Sequence, residues 1–436
     1  MTASDLGQAI NNLALDQPLV FERGGEIPPG GDPDFYVDRE RNPTERLITL
    51  FLDSLAHDKI LLVGHRGTGK STELNRIAAD SQINGKFAVV RVPAGEVLDL
   101  NDMSCVDVIF AIAARAFAAA AGAKVRLSGD LLQRLESWRA TVEVVKTGSE
   151  SASVETTARL SAWFLEALGK LQSSHETRKE MRRRMEPRLT ELIQIANDIL
   201  EALRKGLAGR DVLLIVDDTE KGPEVAGRSV FFSGGVSLGQ LRCKAVFAFP
   251  VDLYASKDFR LIEQNMAGRA FILPNHHVLD QGGREDEQAI GRLRRAAALR
   301  LGEELIDQRA LKRAILSSGG NIREFFRLLR DAALVARTAS RGSIAADDVA
   351  EAESEIRAYY ARFLGEAHFK ALDEVRRNGR AGSEDVFLDV LRCAAVLEYR
   401  NAEPWMGIHP LVVPLLEKWR KGAPSPRKAA GKKRGR

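Results

Sequence analysis

Residues 64–71, Gly-His-Arg-Gly-Thr-Gly-Lys-Ser, put glycines at 64, 67 and 69 ahead of a lysine and a hydroxyl, the spacing G-x-x-x-x-G-K-[ST] of a phosphate-binding loop. The chemistry this implies is anion binding. Glycines let backbone N–H groups converge on the oxygens of a triphosphate, and the helix that "STELNRIA" begins adds its positive end. On this reading Gly64, His65, Arg66, Gly67, Thr68, Gly69, Lys70, Ser71 and Thr72 hold ATP, with Lys70 on the β and γ phosphates and the Ser71 hydroxyl on Mg²⁺. The loop gives the metal one protein oxygen, so a carboxylate-bearing strand is needed. "DVLLIVDDTEK", residues 211–221, supplies it. Asp217 is expected to hold Mg²⁺ through its water, and Asp218, or Glu220 two residues on, to orient the attacking water.

These residues need a sheet to position them. "KILLV" before the loop has the length and apolarity of a buried parallel strand. "CKAVFAFPVDLY" gives a third strand after the carboxylate strand, and "RAFILP" a fourth, the rhythm of a parallel sheet with crossovers. Asp252, at the end of the third strand, is either a sensor of the γ phosphate or a turn former. Arg260 and Arg269 are candidate arginine fingers for a neighbouring subunit. The long stretch between loop and carboxylate strand requires an insertion, at about 104–208, and it reads as helix. Leu189, Leu192, Ile193, Ala196, Ile199, Leu200 and Leu203 fall at helical spacing and close on Gly206. A Ser/Thr-rich patch within "VEVVKTGSESASVETTARL" reads as a loop or a β excursion, and Trp163 and Phe164 as core more than as a partner surface.

The fold class expected is α/β: a P-loop NTPase parallel sheet with a helical insertion, then an all-α lid and a small C-terminal winged-helix-like module. The boundaries read as an irregular N-terminal arm at 1–34, an ATPase core at 35–280, a lid at 281–345, the module at 346–420 and a disordered basic tail at 421–436. In the lid, Arg323, Arg327 and Arg330 share one face of a helix started by Gly319 and Gly320. Arg323 stands in its first turn, where a cation opposes the helix dipole; a nucleotide phosphate would offset that, and a solvated basic stripe is the plainer reading.

The net charge of +4 comes from the tail, whose residues 427–436 hold six basic side chains and no acid. Such a tail can bind phosphate backbones weakly, or simply solubilise the chain. The three cysteines, Cys105, Cys243 and Cys393, lie far apart and form no metal-type spacing. The N-terminus lacks a signal-peptide pattern, and "VIFAIAARAFAAAAGA", interrupted by Arg115, reads as a buried helix. A cytoplasmic chain with no membrane span is the expectation.

Taken together, residues 35 to about 345 resemble the additional-strand P-loop NTPases, the group of AAA+, STAND and KAP-type ATPases. "FYVDRE" looks like the segment that flanks the base, "LLIVDDTEK" is similar to the KAP and STAND carboxylate strand, and "SSGGNIREFFRLL" resembles the lid helix of origin-recognition initiators and archaeal STAND ATPases. The resemblance implies that Arg323 is the sensor arginine. Asp218 stands where AAA+ motors usually place a glutamate, and Pro250 and Asp252 where their strand ends in a polar amide, which points to a slow switch over a motor. Relatives of this kind serve in bacterial defence or signalling, with a homo-oligomer or a protein effector as partner. The alternative is an ATP-dependent DNA-binding protein of initiator type, using the C-terminal module and tail. "DVFLDVLRCAAVLEYRN", mostly apolar with Asp385, Asp389 and Glu398, favours a protein contact over groove reading. A small-molecule kinase is disfavoured by the long insertion, the helical lid and the lack of an obvious acceptor pocket.

Overall fold

A computed structural model of the chain describes residues 2–14, 17–21, 30–40, 42–143, 153–380, 382–400 and 403–422. The basic tail from residue 423 and the Ser/Thr-rich stretch at 144–152 lie outside the described residues; residues 421 and 422, expected in the tail, close the last helix. The N-terminal arm, expected to be irregular, begins with helix α1 (Leu6–Asn12). The Asp5 carboxylate caps it, accepting from the N–H groups of Gly7 and Gln8. Leu6, Ala9 and Leu13 are buried in the core of the lid, a stripe too short to stand out in sequence.

Helix α2 (Pro43–Asp53), with Asn42 as cap and Pro43 in its first turn, leads into β1 (Lys59–Val63), and the phosphate loop then opens α3 (Lys70–Ala79). The sheet adds β2 (Phe87–Pro93), β3 (Asp211–Asp217), β4 (Lys244–Phe249) and β5 (Gly268–Ile272), all parallel, in the order β2-β3-β4-β1-β5. Every residue of β1 and β4 is buried, which is why they read as unbroken apolar runs. β2 is an edge strand with an exposed Arg91 and half-exposed Ala88, Val89 and Pro93; the sequence reading missed it. Because the strands are parallel, Val63, Asp217, Phe249 and Ile272 end at one edge of the sheet, where ligands of such sheets bind.

Between β2 and β3 lie α4 (Cys105–Gly122), α5 (Gly129–Glu143), α6 (Ser153–Gln172), α7 (His175–Met185) and α8 (Leu189–Gly206). Among the described residues α4 is the one helix long and apolar enough to cross a membrane, and it is mostly buried inside the protein. Phe110 stacks on Trp138 and meets Trp163 and Phe164, all buried.

The lid comprises α9 (Glu287–Arg300), α10 (Gln308–Ser317) and α11 (Ile322–Thr338). The next helix, α12 (Ala346–Phe363), which the sequence boundary gave to the C-terminal module, packs on α10 and α11. Arg313 of α10 holds Glu353 of α12 with two hydrogen bonds of 2.8 and 2.7 Å. The winged-helix-like module follows as α13 (Glu366–Asn378), α14 (Asp385–Arg392), the antiparallel pair β6 (Val396–Arg400) and β7 (Pro404–Ile408), and α15 (Val413–Gly422). The sequence reading expected one short strand here; Ala394, at φ +57°, ends the helical path and turns the chain into β6.

Candidate nucleotide-binding site

The phosphate loop bends through two left-handed glycines, Gly67 at φ +87° and Gly69 at φ +95°, a conformation open to glycine at little cost. Gly69 caps α3 without any side-chain bond, which leaves the first N–H groups of the helix without a side-chain partner. The Lys70 ammonium turns back onto the loop, donating to the carbonyls of Gly64 (2.8 Å) and His65 (3.1 Å), and lies 3.1 Å from Glu220 Oε1. Both side chains are buried. Burial pushes the Glu220 carboxyl up, but the charges of Lys70 and Lys221 together with hydrogen bonds to the carboxylate hold it below its ordinary value. Glu220 Oε2 is buried without a hydrogen-bond partner.

Asp217 ends β3 and is pushed up to about 6, by burial first and then by the charges of Glu220 and Asp218, with the Ser71 hydroxyl opposing. A crowded set of carboxylates beside a hydroxyl suits a divalent cation. Among the described residues no group of three or more His, Cys, Asp or Glu side chains gathers as a metal site, and Mg²⁺ binding by Ser71 and Asp217 stays an expectation from the loop pattern. Asp218 faces elsewhere. It adopts a left-handed backbone at φ +69°, pairs with Lys221, and its carboxylate lies against Gly95, where a Cβ would come within 2.6 Å of Oδ2. Non-glycine residues held in that region concentrate at functional sites.

An open cleft of about 760 Å³ lies over the loop. Its charged lining, Arg66, Lys70, Lys221, Arg300 and Arg323 against Glu220, suits an anion. A second cleft of about 530 Å³ continues from it, walled by Tyr36, Val37, His276, Leu293 and Phe326. The N-terminal arm is a wall of both. The Leu19 N–H donates to Thr72 Oγ1 (3.3 Å), and Asn75 Nδ2 donates to the Leu19 carbonyl (2.8 Å). The "FYVDRE" segment braces the loop from outside. Arg39 donates to the carbonyls of Thr68 and Pro274, and the Tyr36 hydroxyl donates to Glu73.

Lid and module both touch the loop directly. The Arg323 N–H donates to the Gly67 carbonyl (3.1 Å), and Asn321, the cap of α11, donates through Nδ2 to the Arg66 carbonyl (2.9 Å). Gly320 is required here, because a Cβ would sit 1.7 Å from the His276 carbonyl oxygen. The Arg323 side chain is exposed and lines the cleft, whereas Arg327 pairs with Glu324 and Asp331. From the module, the Glu398 N–H donates to Nε2 of buried His65 at 2.9 Å. Burial and the nearby Lys70 pull His65 down to about 3, so it accepts as a neutral ring. The Tyr399 hydroxyl donates to the Gly319 carbonyl (2.7 Å), and Asn275 Nδ2 to the Glu398 carbonyl (3.1 Å).

Asp252 is not at the cleft. It is buried and accepts from Arg392 of α14 at 3.0 and 2.5 Å, and Arg392 also reaches Glu224 at 2.8 Å. Arg260 and Arg269 are exposed and line neither cleft. The sequence reading missed Arg39, Arg300, Asn275 and the contact made by His65. Only Asn321 carries a local signal, a capping residue just ahead of a periodic helix.

No family model matches the chain, and no curated protein does. Among solved structures it is similar to Cdc6p from Pyrobaculum aerophilum, at 14% identity over 90% of this chain and 98% of that one, with a TM-score of 0.40. It is also similar to the Aeropyrum pernix ORC1 protein in complex with DNA, at 13% identity, 89% and 94% coverage and TM-score 0.41. A third likeness is to Drosophila ORC bound to DNA, at 13% identity, 94% and 92% coverage and TM-score 0.38.

Proposed function

We propose that the chain is an ATP-binding, slowly hydrolysing regulatory switch whose nucleotide controls the docking of lid and C-terminal module, and through them an assembly step or a partner effector. The observation that carries this reading is the hydrogen bond from the Glu398 N–H to His65. It ties the module to a residue inside the phosphate loop, so whatever reshapes the loop on binding acts on the module. Two states that differ in affinity for ATP are what such coupling requires.

The residues present fit the nucleotide. Lys70 would exchange its bonds to the loop carbonyls and Glu220 for the β and γ phosphates. Ser71 and Asp217 would hold Mg²⁺, which when bound neutralises phosphate charge. Glu220 is better placed than Asp218 to orient a water, because Glu220 lines the cleft and Asp218 does not. Arg323 stands where a γ phosphate would meet the lid. Slow turnover follows from the tie between Asp252 and Arg392, which leaves the end of β4 without a polar group at the cleft.

The initiator reading is less well supported. The exposed side chains of α14 include Asp385 and Asp389, and its Arg392 is engaged by Asp252 and Glu224, so a nucleic-acid backbone would meet acids on that helix. Turnover of wild type, Lys70→Ala, Glu220→Gln and Asp218→Asn tests the site. Lys70→Ala should lose triphosphate binding, and Glu220→Gln should bind ATP without hydrolysing it. Unchanged turnover in Lys70→Ala overturns the reading, and normal turnover in Glu220→Gln with a loss in Asp218→Asn returns the water-orienting role to Asp218. Native mass and electrophoretic mobility shift, each with and without ATP, separate the two functions: ATP-dependent retardation of DNA would favour the initiator.

A further inference from the structure

Arg300, the last residue of α9, is 6% exposed. Its Nη1 donates to the carbonyls of Phe35 (3.0 Å) and Ala296 (3.2 Å), and its guanidinium lies 4.7 Å from the Phe35 ring centroid and 4.2 Å from that of Phe326. Among the described residues no carboxylate lies within ion-pair distance of it. Rings and carbonyls stabilise a guanidinium only in part, and a buried cation with no anion is costly. Burial accordingly lowers its pKa, with Asp32 pulling the other way. Arg300 also stands at a particular place. It is one of six residues, with Leu19, Gly69, Thr72, Ile322 and Phe326, that line both clefts.

We infer that Arg300 binds the nucleotide at the junction of the two clefts, donating to the α phosphate, the group that joins a polyphosphate over the loop to a nucleoside beside Tyr36 and Val37. This rests on the reading of the loop as a nucleotide site. The anion supplies a close counter-charge that no described carboxylate gives at ion-pair distance, and the two rings keep the guanidinium from turning away. Arg300 therefore serves every phosphorylated form of the nucleotide, unlike Arg323, which is proposed to meet the γ phosphate alone.

The test titrates wild type, Arg300→Met and Arg300→Lys with ATP, ADP, AMP and adenosine. Arg300→Met should weaken ATP, ADP and AMP by a common factor of about tenfold or more and leave adenosine unchanged, with Arg300→Lys between it and wild type. An equal loss for adenosine and AMP, or unchanged binding of AMP and ADP, overturns the inference and makes Arg300 a tether between α9 and Phe35. If Arg300→Met does not fold, Arg300→Lys carries the same comparison. A wild-type protein that binds none of the phosphorylated ligands overturns the reading of the site itself, a result distinct from either.

Discussion

The insertion and the lid are both helical, but they are fastened to the sheet by different chemistry. α4 to α8 join β2, β3 and β4 in one apolar core, and the aromatic group of Phe110, Trp138, Trp163 and Phe164 lies within it. None of the insertion's described residues lines either cleft. The lid and C-terminal module share a separate core, and they reach the phosphate loop through single polar bonds: Arg323 to Gly67, Asn321 to Arg66 and Glu398 to His65. Opening the first interface exposes large apolar surface at about 25 cal/mol per Å². Each bond of the second exchanges with water for about 0.5–1.5 kcal/mol. The module is also tied to the core by Arg392 on Asp252 and Glu224, so what a ligand at the loop can reach is the set of loop bonds and not the whole attachment.

The contrast can be broken at several points. Trp138→Ala should cost about 3–5 kcal/mol of stability in chemical denaturation, yet leave the ATP affinity of the folded protein unchanged; a parallel loss of affinity would mean that the insertion supports the site. Next comes Glu398, whose carboxyl burial pushes up from 4.5 to about 7, with Arg400 opposing. Its folded-state pKa is raised, so its contribution is full below pH 4.5 and lost as pH rises to 7, at most about 3.5 kcal/mol at about 1.4 kcal/mol per unit. Glu398→Gln should flatten the melting temperature over that interval, and an unchanged slope would rule out this titration as its source.

Smaller still, Arg323→Ala should weaken ATP but not ADP by about 1.5–3 kcal/mol, roughly ten- to a hundredfold, because ADP has no group to accept the bond. Arg327→Ala, at a half-buried pair with Glu324 and Asp331 that lines neither cleft, should change either nucleotide affinity by no more than about 1 kcal/mol. Titration with ADP and a non-hydrolysable ATP analogue reads both variants, and equal losses for the two nucleotides would remove the sensor role from Arg323.

What the sequence disclosed was what local chemistry dictates. The loop is legible because glycines at 64, 67 and 69 and a lysine at 70 leave the backbone little else to do, and buried β1 and β4 are legible as unbroken apolar runs. β2, an edge strand with an exposed Arg91 and partly exposed neighbours, was missed. The partners of His65 and Asp252 were out of reach, because they lie 333 and 140 residues away in the chain. The choice between Asp218 and Glu220 turns on a left-handed residue at a strand end, and nothing in the letters Asp-Asp-Thr-Glu announces it.

Amide hydrogen exchange with and without a non-hydrolysable ATP analogue tests the central claim most directly, because it reads the Glu398 N–H itself. Coupling of loop and module predicts that exchange in β6 and β7 changes on binding while α4 and α8 of the insertion keep theirs. Saturating nucleotide that leaves β6 and β7 unchanged would contradict the account: the module would then be a passive neighbour of the phosphate loop.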